Sequence, residues 1–390
     1  MGSVCSGASK GTVADATPAI SAQKEGNVNA NGSPLQPSRP PSQHGTGAVD
    51  ENAVIQDIQR AVTPNPHAST KGDDEENYQI IRLLLLGAVE SGKTTILEQI
   101  RIMFKQHFTE AELFHRKAFI YNTILRNVRT LVSRTRQMGL LYVNTQNESG
   151  ADLILAQDET QYGHFTPEVE KAIISIWADK TTQHVYSKRS EINLNDSTKY
   201  FLDNLEKINK MDFRPTSNDL IMSYVPTVGI QNIIFSTNHR SFQLFDMGGQ
   251  RIDRRKWATM YDGIDAIFFC LAISEYNQLM DEDGITNRLS DSMSLLEKIA
   301  QEPKFQTTPI FLFLNEVDVF REKLTVFPLS NHLPEYEGKS VEEALDFIEE
   351  LATSRMEGHQ KNYVYRTIAI ETQSMSKILG EIFQIILKNN

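Results

Sequence analysis

The segment "GAVESGKTT" at 87–95 limits the fold of this chain more than any other stretch. It continues from "YQIIRLLLLG" at 78–87, an apolar run whose length predicts a buried strand, and it leads into a helical pattern. The spacing G-x-x-x-x-G-K-[ST] between a strand and a helix is that of a phosphate-binding loop. The backbone N–H groups of such a loop cradle phosphates, Lys93 would reach the terminal ones, and Thr94 would offer its hydroxyl to Mg²⁺.

Composition narrows the class of protein. With 390 residues, of which 40% are hydrophobic, the chain is long enough for two compact units and a tail. A net charge of −11 and the lack of a long Lys/Arg run argue against a nucleic-acid partner. Two cysteines, Cys5 and Cys270, cannot form a disulfide framework, and no apolar stretch approaches the roughly 20 residues that span a bilayer. These features predict a cytosolic protein.

The segment 1–77 is predicted to be a disordered tail. It contains no Phe, Tyr or Trp and holds 7 of the 14 prolines, so it cannot bury enough apolar area to offset its ordering entropy. Its start, "MGSVCS", fits the N-myristoylation pattern with Gly2 as the acceptor, and Cys5 would carry a second, thioester-linked lipid. Two lipids would attach the protein peripherally to the cytoplasmic face of the plasma membrane. An unmodified tail on a cytosolic protein is the alternative.

The order of the predicted elements points to an interrupted α/β fold. A helix from Gly92 to about Phe104 follows the first strand, and the pattern then stays helical through "STKYFLDNLEKI" at 197–208. Strands return as a hairpin around Asn238 and as the apolar runs "AIFFCLAI", "PIFLFLN" and "YVYRTIAI". This order predicts an α/β domain with a mostly parallel sheet flanked by helices and interrupted by an all-α insertion. The predicted boundaries are the tail at 1–77, the first part of the sheet domain at 78–107, the insertion at 108–212 and the second part of the sheet domain at 213–390.

A second group of motifs lies at predicted strand ends. In "DMGGQ", Asp246 can hold Mg²⁺ through a water, Gly249 can offer its N–H to a γ-phosphate, and Gln250 can orient an attacking water. In "FLNEVD", the Asp318 carboxylate can accept hydrogen bonds from the N1–H and 2-amino groups of guanine, a donor pair that adenine lacks. In "TIAIET", the backbone N–H of Ala369 can face the base oxygen.

In this order the motifs resemble those of the α subunits of heterotrimeric G proteins. That family reads GAGESGKST, an inserted helical domain, DxxRxRxxTTGI, DVGGQRxERRKW, FLNKxD and TCATDT, and the resemblance covers about 78–390. It implies a Ras-like P-loop GTPase domain and a helical domain with GTP or GDP and Mg²⁺ between them. It also implies a βγ dimer, a receptor and an effector as partners. The segment "RIDRRKW" would be the switch helix that βγ grips, with a solvated basic face as the alternative.

The resemblance also assigns roles to residues of this sequence. Thr94 and Thr227 would hold Mg²⁺ directly, and Asp246 would hold it through a water. The catalytic positions are those of Lys93, Gln250 and Tyr224, which replaces the family's arginine finger. The assigned nucleotide contacts are Glu90, Ser91, Gly92, Lys93, Thr94, Thr95, Asp196, Ser197, Ile221, Met222, Ser223, Tyr224, Asp246, Gly249, Gln250, Asn315, Glu316, Asp318 and Ala369.

Two departures from the family pattern predict slow hydrolysis. In "DLIMSYVPTVGI", Tyr224 stands at the arginine finger and Met222 replaces the other family arginine. An arginine finger is worth roughly 10³ to 10⁵ in rate, which is about 4 to 7 kcal/mol of barrier. Val89 replaces the middle glycine beside the γ-phosphate, where it would compete for space with Gln250 and its water, and a displacement of about 1 Å can cost 10²-fold. Binding need not suffer, because the loop amides and Lys93 remain.

Other departures affect the base and the protein partners. Glu316 stands where the family lysine lies along the base, so an anion replaces a cation, and we expect a loss of about 1 to 3 kcal/mol in affinity, roughly 5- to 150-fold. Pro64 and Pro66 interrupt the family's basic N-terminal helix, which carries part of the βγ contact. The sequence stops at Asn390, where family members continue into residues that dock into a receptor. Weakened βγ and receptor contacts are therefore expected.

Three functions remain open from the sequence. The first is a slow GTPase switch, and the second is a module that holds GTP without turnover and presents its switch surface to effectors. The third is a pseudo-GTPase scaffold that holds no nucleotide. Glu316 favours the third function, whereas the intact phosphate-loop and magnesium residues disfavour it. The nucleotide that copurifies with the protein would distinguish the third function from the others.

Overall fold

The computed structural model describes residues 80–158, 164–223, 225, 227, 229–237 and 240–389. The segment 1–79, with the predicted acylation sites Gly2 and Cys5, and Tyr224 lie outside the described residues. Within the described ranges, no helix has the length and apolar character that crossing a bilayer requires.

A six-stranded sheet forms the centre of the fold. Its strands are β1 (Ile81–Gly87), β2 (Ile230–Thr237), β3 (Arg240–Met247), β4 (Ala266–Ala272), β5 (Ile310–Asn315) and β6 (Asn362–Arg366). Their spatial order is β2-β3-β1-β4-β5-β6; the β2–β3 pair is antiparallel and the other pairs are parallel. The β2–β3 pair is the predicted hairpin, although its turn at Asn238 lies outside the described residues.

Helices cover the sheet and form a separate helical segment. They are α1 (Lys93–Met103), α2 (Glu110–Gln137), α3 (Asn147–Leu155), α4 (Pro167–Ala178), α5 (Lys180–Ser187), α6 (Thr198–Asp203), α7 (Leu205–Ile208), α8 (Ser217–Met222), α9 (Arg251–Arg254), α10 (Arg288–Ala300), α11 (Val317–Leu324), α12 (Val341–Ser354) and α13 (Thr372–Asn389). Short 3-10 helices occur at Arg189–Ile192, Trp257–Met260, Ile273–Asn277, Pro303–Phe305 and Leu329–Asn331.

The leucines of β1 show how the sheet is covered on both faces. Leu84 and Leu86 pack in a hydrophobic cluster with residues of α10 and α12. Leu83 and Leu85 pack in a second cluster with residues of α1 and α13. Because successive side chains of a strand point to opposite faces, a strand covered on both faces needs a continuous apolar run. This is why "IRLLLLG" is buried along almost its whole length.

Helices α2 to α7 and the residues between them form the helical segment, which has a hydrophobic core of its own. The capping box of Thr109 and Glu112 begins α2, and Gly139, with φ of +65°, follows its end. The residues on the apolar face of α2 are all buried: Tyr121, Ile124, Leu125, Val128, Leu131 and Val132. The predicted fold class, a mostly parallel α/β sheet with an all-α insertion, is confirmed, while the domain boundaries stay a prediction.

The carboxyl ends of β1, β3, β5 and β6 lie at one edge of the sheet, because these strands run parallel. The segments that follow them are 88–92, 248–250, 316–318 and 367–370. Ligands of parallel sheets bind outside the carboxyl ends of the strands. The fold therefore places these four sequence motifs at one edge of the sheet.

Candidate nucleotide-binding site

Glycines shape the loop between β1 and α1. Gly92 has φ of +91°, and a Cβ at this position would lie 2.1 Å from Nδ2 of Asn315. Gly87 has φ of +148°, and a Cβ there would lie 2.4 Å from the carbonyl oxygen of Cys270. Both positions therefore require glycine. Val89 has no positive φ, so it affects the site through its volume and not through backbone strain.

Lys93 lies at the centre of this loop. It is 5% exposed, and its ammonium group donates to the carbonyl oxygen of Ala88. Burial lowers the pKa of Lys93, and the nearby Asp246 carboxylate opposes that shift. Gly249 packs against the ammonium group, since a Cβ on Gly249 would lie 2.7 Å from Nζ of Lys93. The structure thus brings together residues from the ends of two neighbouring strands.

Two hydroxyl groups and a carboxylate meet beside Lys93. Oγ1 of Thr94 lies 3.2 Å from Oγ1 of Thr227, which donates to Oδ2 of Asp246 over 2.8 Å. Asp246 is fully buried, and its Oδ1 has no hydrogen-bond partner within the described part of the chain. Burial raises the pKa of Asp246 to about 6, although the Lys93 ammonium group lowers it. A buried, unpartnered carboxylate oxygen beside two hydroxyl groups suits a hard cation such as Mg²⁺, so the residues predicted to hold that ion fit it.

A cavity of about 490 Å³ extends from the phosphate loop to the helical segment. This volume is within the usual range of small-ligand pockets. Asp246 lies behind the cavity wall, in contact with Thr227, and Tyr224 lies outside the described residues. The predicted site residues that line the cavity are Glu90, Ser91, Gly92, Lys93, Thr94, Thr95, Asp196, Ser197, Ile221, Met222, Ser223, Thr227, Gly249, Gln250, Asn315, Glu316, Asp318 and Ala369.

Asn315 connects three segments at the end of the cavity that is predicted to hold the base. Its Nδ2 donates to the carbonyl oxygen of Ser91 over 3.2 Å, and its Oδ1 accepts from Oγ1 of Thr367 over 3.2 Å. The N–H of Ala369, predicted to face a base oxygen, donates to the same Oδ1 over 3.0 Å. In this structure the amide therefore has an acceptor within the protein. Asp318 is half-buried nearby, and burial raises its pKa.

Glu316 lies at the same end, between β5 and α11. It has φ of +68°, and its Oε2 accepts a hydrogen bond from the hydroxyl group of Ser274. Burial raises the pKa of Glu316, and the carboxylates of Asp196 and Glu275 raise it further. A carboxyl group with a raised pKa is neutral over a wider pH range. The charge of the Glu316 side chain, which the sequence predicts to be negative, therefore depends on pH.

Sequence reasoning missed Arg189, which spans the cavity. Its Nε donates to Asp196 over 2.9 Å, and its Nη2 donates to Glu322 of α11 over 2.7 Å. Its guanidinium carbon lies 5.0 Å from the centre of the Tyr186 ring. The Arg189 side chain is only 7% exposed. No local pattern signals this bridge, because Arg189 and Glu322 are 133 positions apart.

Arg288 at the start of α10 was missed for the same reason. It pairs with Glu90 in the phosphate loop, 198 positions away, and with Glu275 over 2.7 Å and Asp281 over 2.9 Å. The Arg288 side chain is 7% exposed, and its ion pairs with these three carboxylates fix its position. Arg288 therefore fixes Glu90, a residue with φ of 60°, against the sheet domain.

Val89 and Gln250 stand at the boundary between the main cavity and a neighbouring cavity of about 280 Å³. Val89 is half-buried and Gln250 is exposed. The valine side chain thus lines the same space as the side chain predicted to orient water, as the steric argument from the sequence requires.

The basic segment "RIDRRKW" forms α9 and the start of the 3-10 helix that follows it. Arg251 pairs with Asp283 over 2.8 Å, and Arg254 pairs with Asp291 over 2.7 Å. Nε of Arg254 also donates to the carbonyl oxygen of Gly249 over 2.8 Å. Two of its arginines are therefore tied to the sheet domain, which a merely solvated basic face would not require.

A phosphate loop between a parallel strand and a helix, with a magnesium-type donor set and a cavity of ligand size, defines a P-loop nucleotide-binding protein. Comparison with known proteins narrows this class. The family model for the G-protein alpha subunit matches residues 56–386, and the chain belongs to that family. The match begins before residue 78, so the similarity extends into the segment assigned to the tail from the sequence.

Individual relatives agree with this assignment. The chain is 54% identical over 331 residues to the guanine nucleotide-binding protein alpha-13 subunit of Caenorhabditis briggsae, covering 84% of this chain and 95% of that protein. Identity to the alpha-13 subunit of Caenorhabditis elegans is 51% over 331 residues, covering 84% and 94%. Identity to the G(o) subunit alpha of Locusta migratoria is 34% over 326 residues, covering 82% and 92%. The Ras-like domain with its helical insertion is thus confirmed, as is the resemblance on which it was predicted.

Proposed function

We propose that this chain is a guanine-nucleotide switch that binds GTP and GDP with Mg²⁺ and hydrolyses GTP slowly. The observation that supports this proposal is the arrangement of the cavity. Lys93 and Thr227, which donates to the buried Asp246, line it together with Asn315 and Asp318. A ligand with a polyphosphate at one end and a hydrogen-bonding base at the other matches these two sets of groups.

Binding would use groups that the fold positions rigidly. The N–H groups at the start of α1 and the ammonium group of Lys93 would hold the phosphates. Thr94 and Thr227 would hold Mg²⁺ directly, and Asp246 would hold it through a water. When bound, this ion would neutralise phosphate charge. At the other end, Asp318 would accept the two donors of guanine.

Slow hydrolysis is expected because the cavity, within the part of the chain that the structure describes, lacks the cation that an arginine finger would supply. The described cations that line the cavity are Lys93, Arg189 and Lys199. Arg189 pairs with Asp196 and Glu322, and Lys199 pairs with Asp203 over 2.5 Å. Of these three described cations, Lys93 is therefore the one that would face the phosphates without a carboxylate ion pair. Since Tyr224 replaces the family arginine, the rate would fall by roughly 10³ to 10⁵.

Val89 would slow the reaction further. It lines the same boundary as Gln250, so its methyl groups would occupy space that the glutamine and its water need. A displacement of about 1 Å costs about 10²-fold, while the groups that bind the phosphates are not affected. Binding and turnover are thus separable at this site.

A single-turnover GTP hydrolysis assay tests the proposal. The full chain is compared with Val89→Gly, Tyr224→Arg and the double variant, each loaded with GTP before Mg²⁺ is added. We expect the double variant to be at least about 10²-fold faster, with GTPγS affinity unchanged within about threefold. A wild-type rate equal to that of ordinary family members, or a double variant no faster than the wild type, would refute the diagnosis.

The second candidate is a module that holds GTP without turnover. The position of Val89 beside Gln250 favours it, because the same steric conflict, if complete, would stop hydrolysis. The bound nucleotide distinguishes the candidates when it is released from freshly purified protein and identified. A mixture of GTP and GDP supports the slow switch, GTP alone with no phosphate release over hours supports the module, and no nucleotide supports a pseudo-GTPase scaffold.

We also propose the membrane and partner contacts that the sequence suggests. Lipids on Gly2 and Cys5 would attach the protein peripherally to the plasma membrane. The exposed Ile252, in α9, would contribute an apolar contact to a βγ dimer. The mass of the N-terminal peptide tests the acylation, with Gly2→Ala and Cys5→Ser as controls. Capture of purified βγ by the GDP-loaded protein tests the partner, with Ile252→Asp as the variant expected to abolish it.

A further inference from the structure

We propose that the protonation state of Glu316 sets how long this site holds its nucleotide. With the carboxyl group protonated the nucleotide is retained, and with the carboxylate ionised it is released faster. This inference rests on the proposed function, guanine nucleotide binding, and adds a proton-dependent residue to it.

Glu316 is held at the wall of the cavity. It lines the cavity between Asn315, which connects the phosphate loop to the segment after β6, and Asp318. Its backbone has φ of +68° at the start of α11, and its Oε2 is held by the hydroxyl group of Ser274. The carboxyl group is therefore fixed at the wall of the cavity and cannot swing out to solvent without breaking this bond.

Charged groups from several elements surround Glu316. The 3-10 helix Ile273–Asn277 contributes Glu275, and the helical segment contributes Asp196, Arg189 and Lys199. Helix α11 contributes Asp318, Glu322 and Lys323, and the phosphate loop contributes Glu90 and Lys93. Residues 367–370 after β6 carry no charge.

Most of these carboxylates have a cation of their own. Glu275 pairs with Arg288, and Asp196 pairs with Arg189. The Lys323 ammonium group lowers the pKa of Glu316, but its Nζ donates to the carbonyl oxygen of Ser274 over 2.9 Å and to Oε1 of Gln278 over 2.5 Å. Within the described residues, the Glu316 carboxyl group accepts from the Ser274 hydroxyl and forms no direct ion pair.

A bound nucleotide would raise the free-energy cost of ionising Glu316. The phosphates add negative charge to a cavity whose wall already carries Asp196 and Glu275, and the ligand excludes water from Glu316. A protonated carboxyl group carries no charge and can donate a hydrogen bond as well as accept one. Burial and the two neighbouring carboxylates, which raise the pKa of Glu316, act in the same direction.

The sign of the effect follows from linkage. Because the bound state favours the protonated form, the pKa of Glu316 is higher in the bound than in the nucleotide-free protein. The affinity is complete below the pKa of the nucleotide-free protein and falls as the pH rises from that pKa to the pKa of the bound protein. One proton limits the change to about tenfold per pH unit. A family lysine at this position would not show this dependence in the neutral range.

Nucleotide dissociation tests the inference. The full chain is loaded with mant-GDP at fixed Mg²⁺, and the dissociation rate is measured after adding excess GDP between pH 6 and 9. The variants are Glu316→Gln, which resembles the protonated form at every pH, Ser274→Ala, and Glu335→Gln as a control on an exposed carboxylate away from the cavity. The ratio of wild-type to Glu316→Gln rates removes contributions from groups that titrate independently of Glu316, including Asp246 and the nucleotide phosphates.

We expect this ratio to be near one at low pH and about tenfold or more at high pH, while Glu335→Gln follows the wild type. Ser274→Ala should move the rise to higher pH, because the Ser274 hydroxyl favours the ionised carboxylate. A ratio that does not change with pH overturns the inference but leaves nucleotide binding intact. If no nucleotide binds at any pH, the proposed function fails instead. If Glu316→Gln does not fold, Ser274→Ala decides, and an unmoved rise overturns the inference.

Discussion

Removing the guanidinium group of Arg189 should speed nucleotide release. Arg189 belongs to the helical segment, and its Nη2 reaches Glu322 of α11 over 2.7 Å, across the cavity. Its other bond, from Nε to Asp196, stays within the helical segment. Of these two, only the bond to Glu322 joins the helical segment to the sheet domain, so only this bond would oppose a separation of the two that lets a nucleotide leave.

The exposure of the two partners sets the size of the effect. A hydrogen bond between charged groups is worth about 1.5 to 3 kcal/mol when it is protected from water. Arg189 is 7% exposed, but the Glu322 side chain is 63% exposed, so solvent screens the pair. We therefore expect this bond to contribute about 1 to 1.5 kcal/mol to nucleotide retention, so its loss corresponds to about 5- to 12-fold faster release.

The assay is mant-GDP dissociation at low and high salt for wild type, Arg189→Ala, Glu322→Gln and the double variant. Arg321→Ala is the matched control, because Arg321 lies on the same helix and pairs with Glu342 in an exposed ion pair. We expect the two single variants to accelerate release and the double variant to add little to either. Unchanged release in Arg189→Ala, or fully additive effects in the double variant, would show that the bridge does not hold the nucleotide in.

Three further expectations follow from the geometry. Gly92→Ala should weaken GDP binding at least tenfold in an equilibrium titration, because its Cβ would lie 2.1 Å from Nδ2 of Asn315; binding at wild-type strength would contradict this. Asp246→Asn should abolish the Mg²⁺ dependence of binding and raise the Tm of the nucleotide-free protein. The pKa of Asp246 is raised to about 6 by burial, so its ionisation destabilises the folded state increasingly between about pH 4 and 6, and a lower Tm would contradict this. The Cys270 thiol is buried and its pKa is raised, so mass spectrometry should find it unlabelled by iodoacetamide in the native protein and labelled after unfolding.

The sheet could be predicted from the sequence because its signals are local. The runs that became β1, β4 and β5 are apolar over most of their length, and such runs indicate strands covered on both faces. The phosphate loop was predictable for a similar reason, since its glycines and lysine lie within nine positions of one strand end. The carboxyl ends of parallel strands then bring the distant motifs to one edge without further information.

Local breaks and long-range pairs could not be predicted in the same way. The stretch "STKYFLDNLEKI" reads as one helix but forms α6 and α7, separated at Asn204, where φ is −104° and ψ is 10°. Nδ2 of Asn204 donates to the carbonyl oxygen of Tyr200 over 2.8 Å, a competing bond that helical periodicity does not reveal. The bridges of Arg189 and Arg288 depend on the packing of segments far apart in the chain, and their charged residues look like ordinary surface residues in the sequence.

In the proposed function, retention and turnover of the nucleotide depend on different parts of this site. The phosphate-holding groups are backbone amides and the buried Lys93, whose positions follow from the fold, so substitution of side chains at the γ-phosphate edge leaves them in place. In the proposed mechanism, turnover needs Gln250 and an additional cation, and Val89 and Tyr224 would affect those two requirements. Release, in turn, would depend on Arg189 and Glu316, which line the cavity from the helical segment and from the start of α11. Since each property has its own residues, a variant in one group should change one rate and leave the other within a few-fold of the wild type. A variant of Arg189 that altered the single-turnover hydrolysis rate as strongly as the release rate would show that the two groups are coupled.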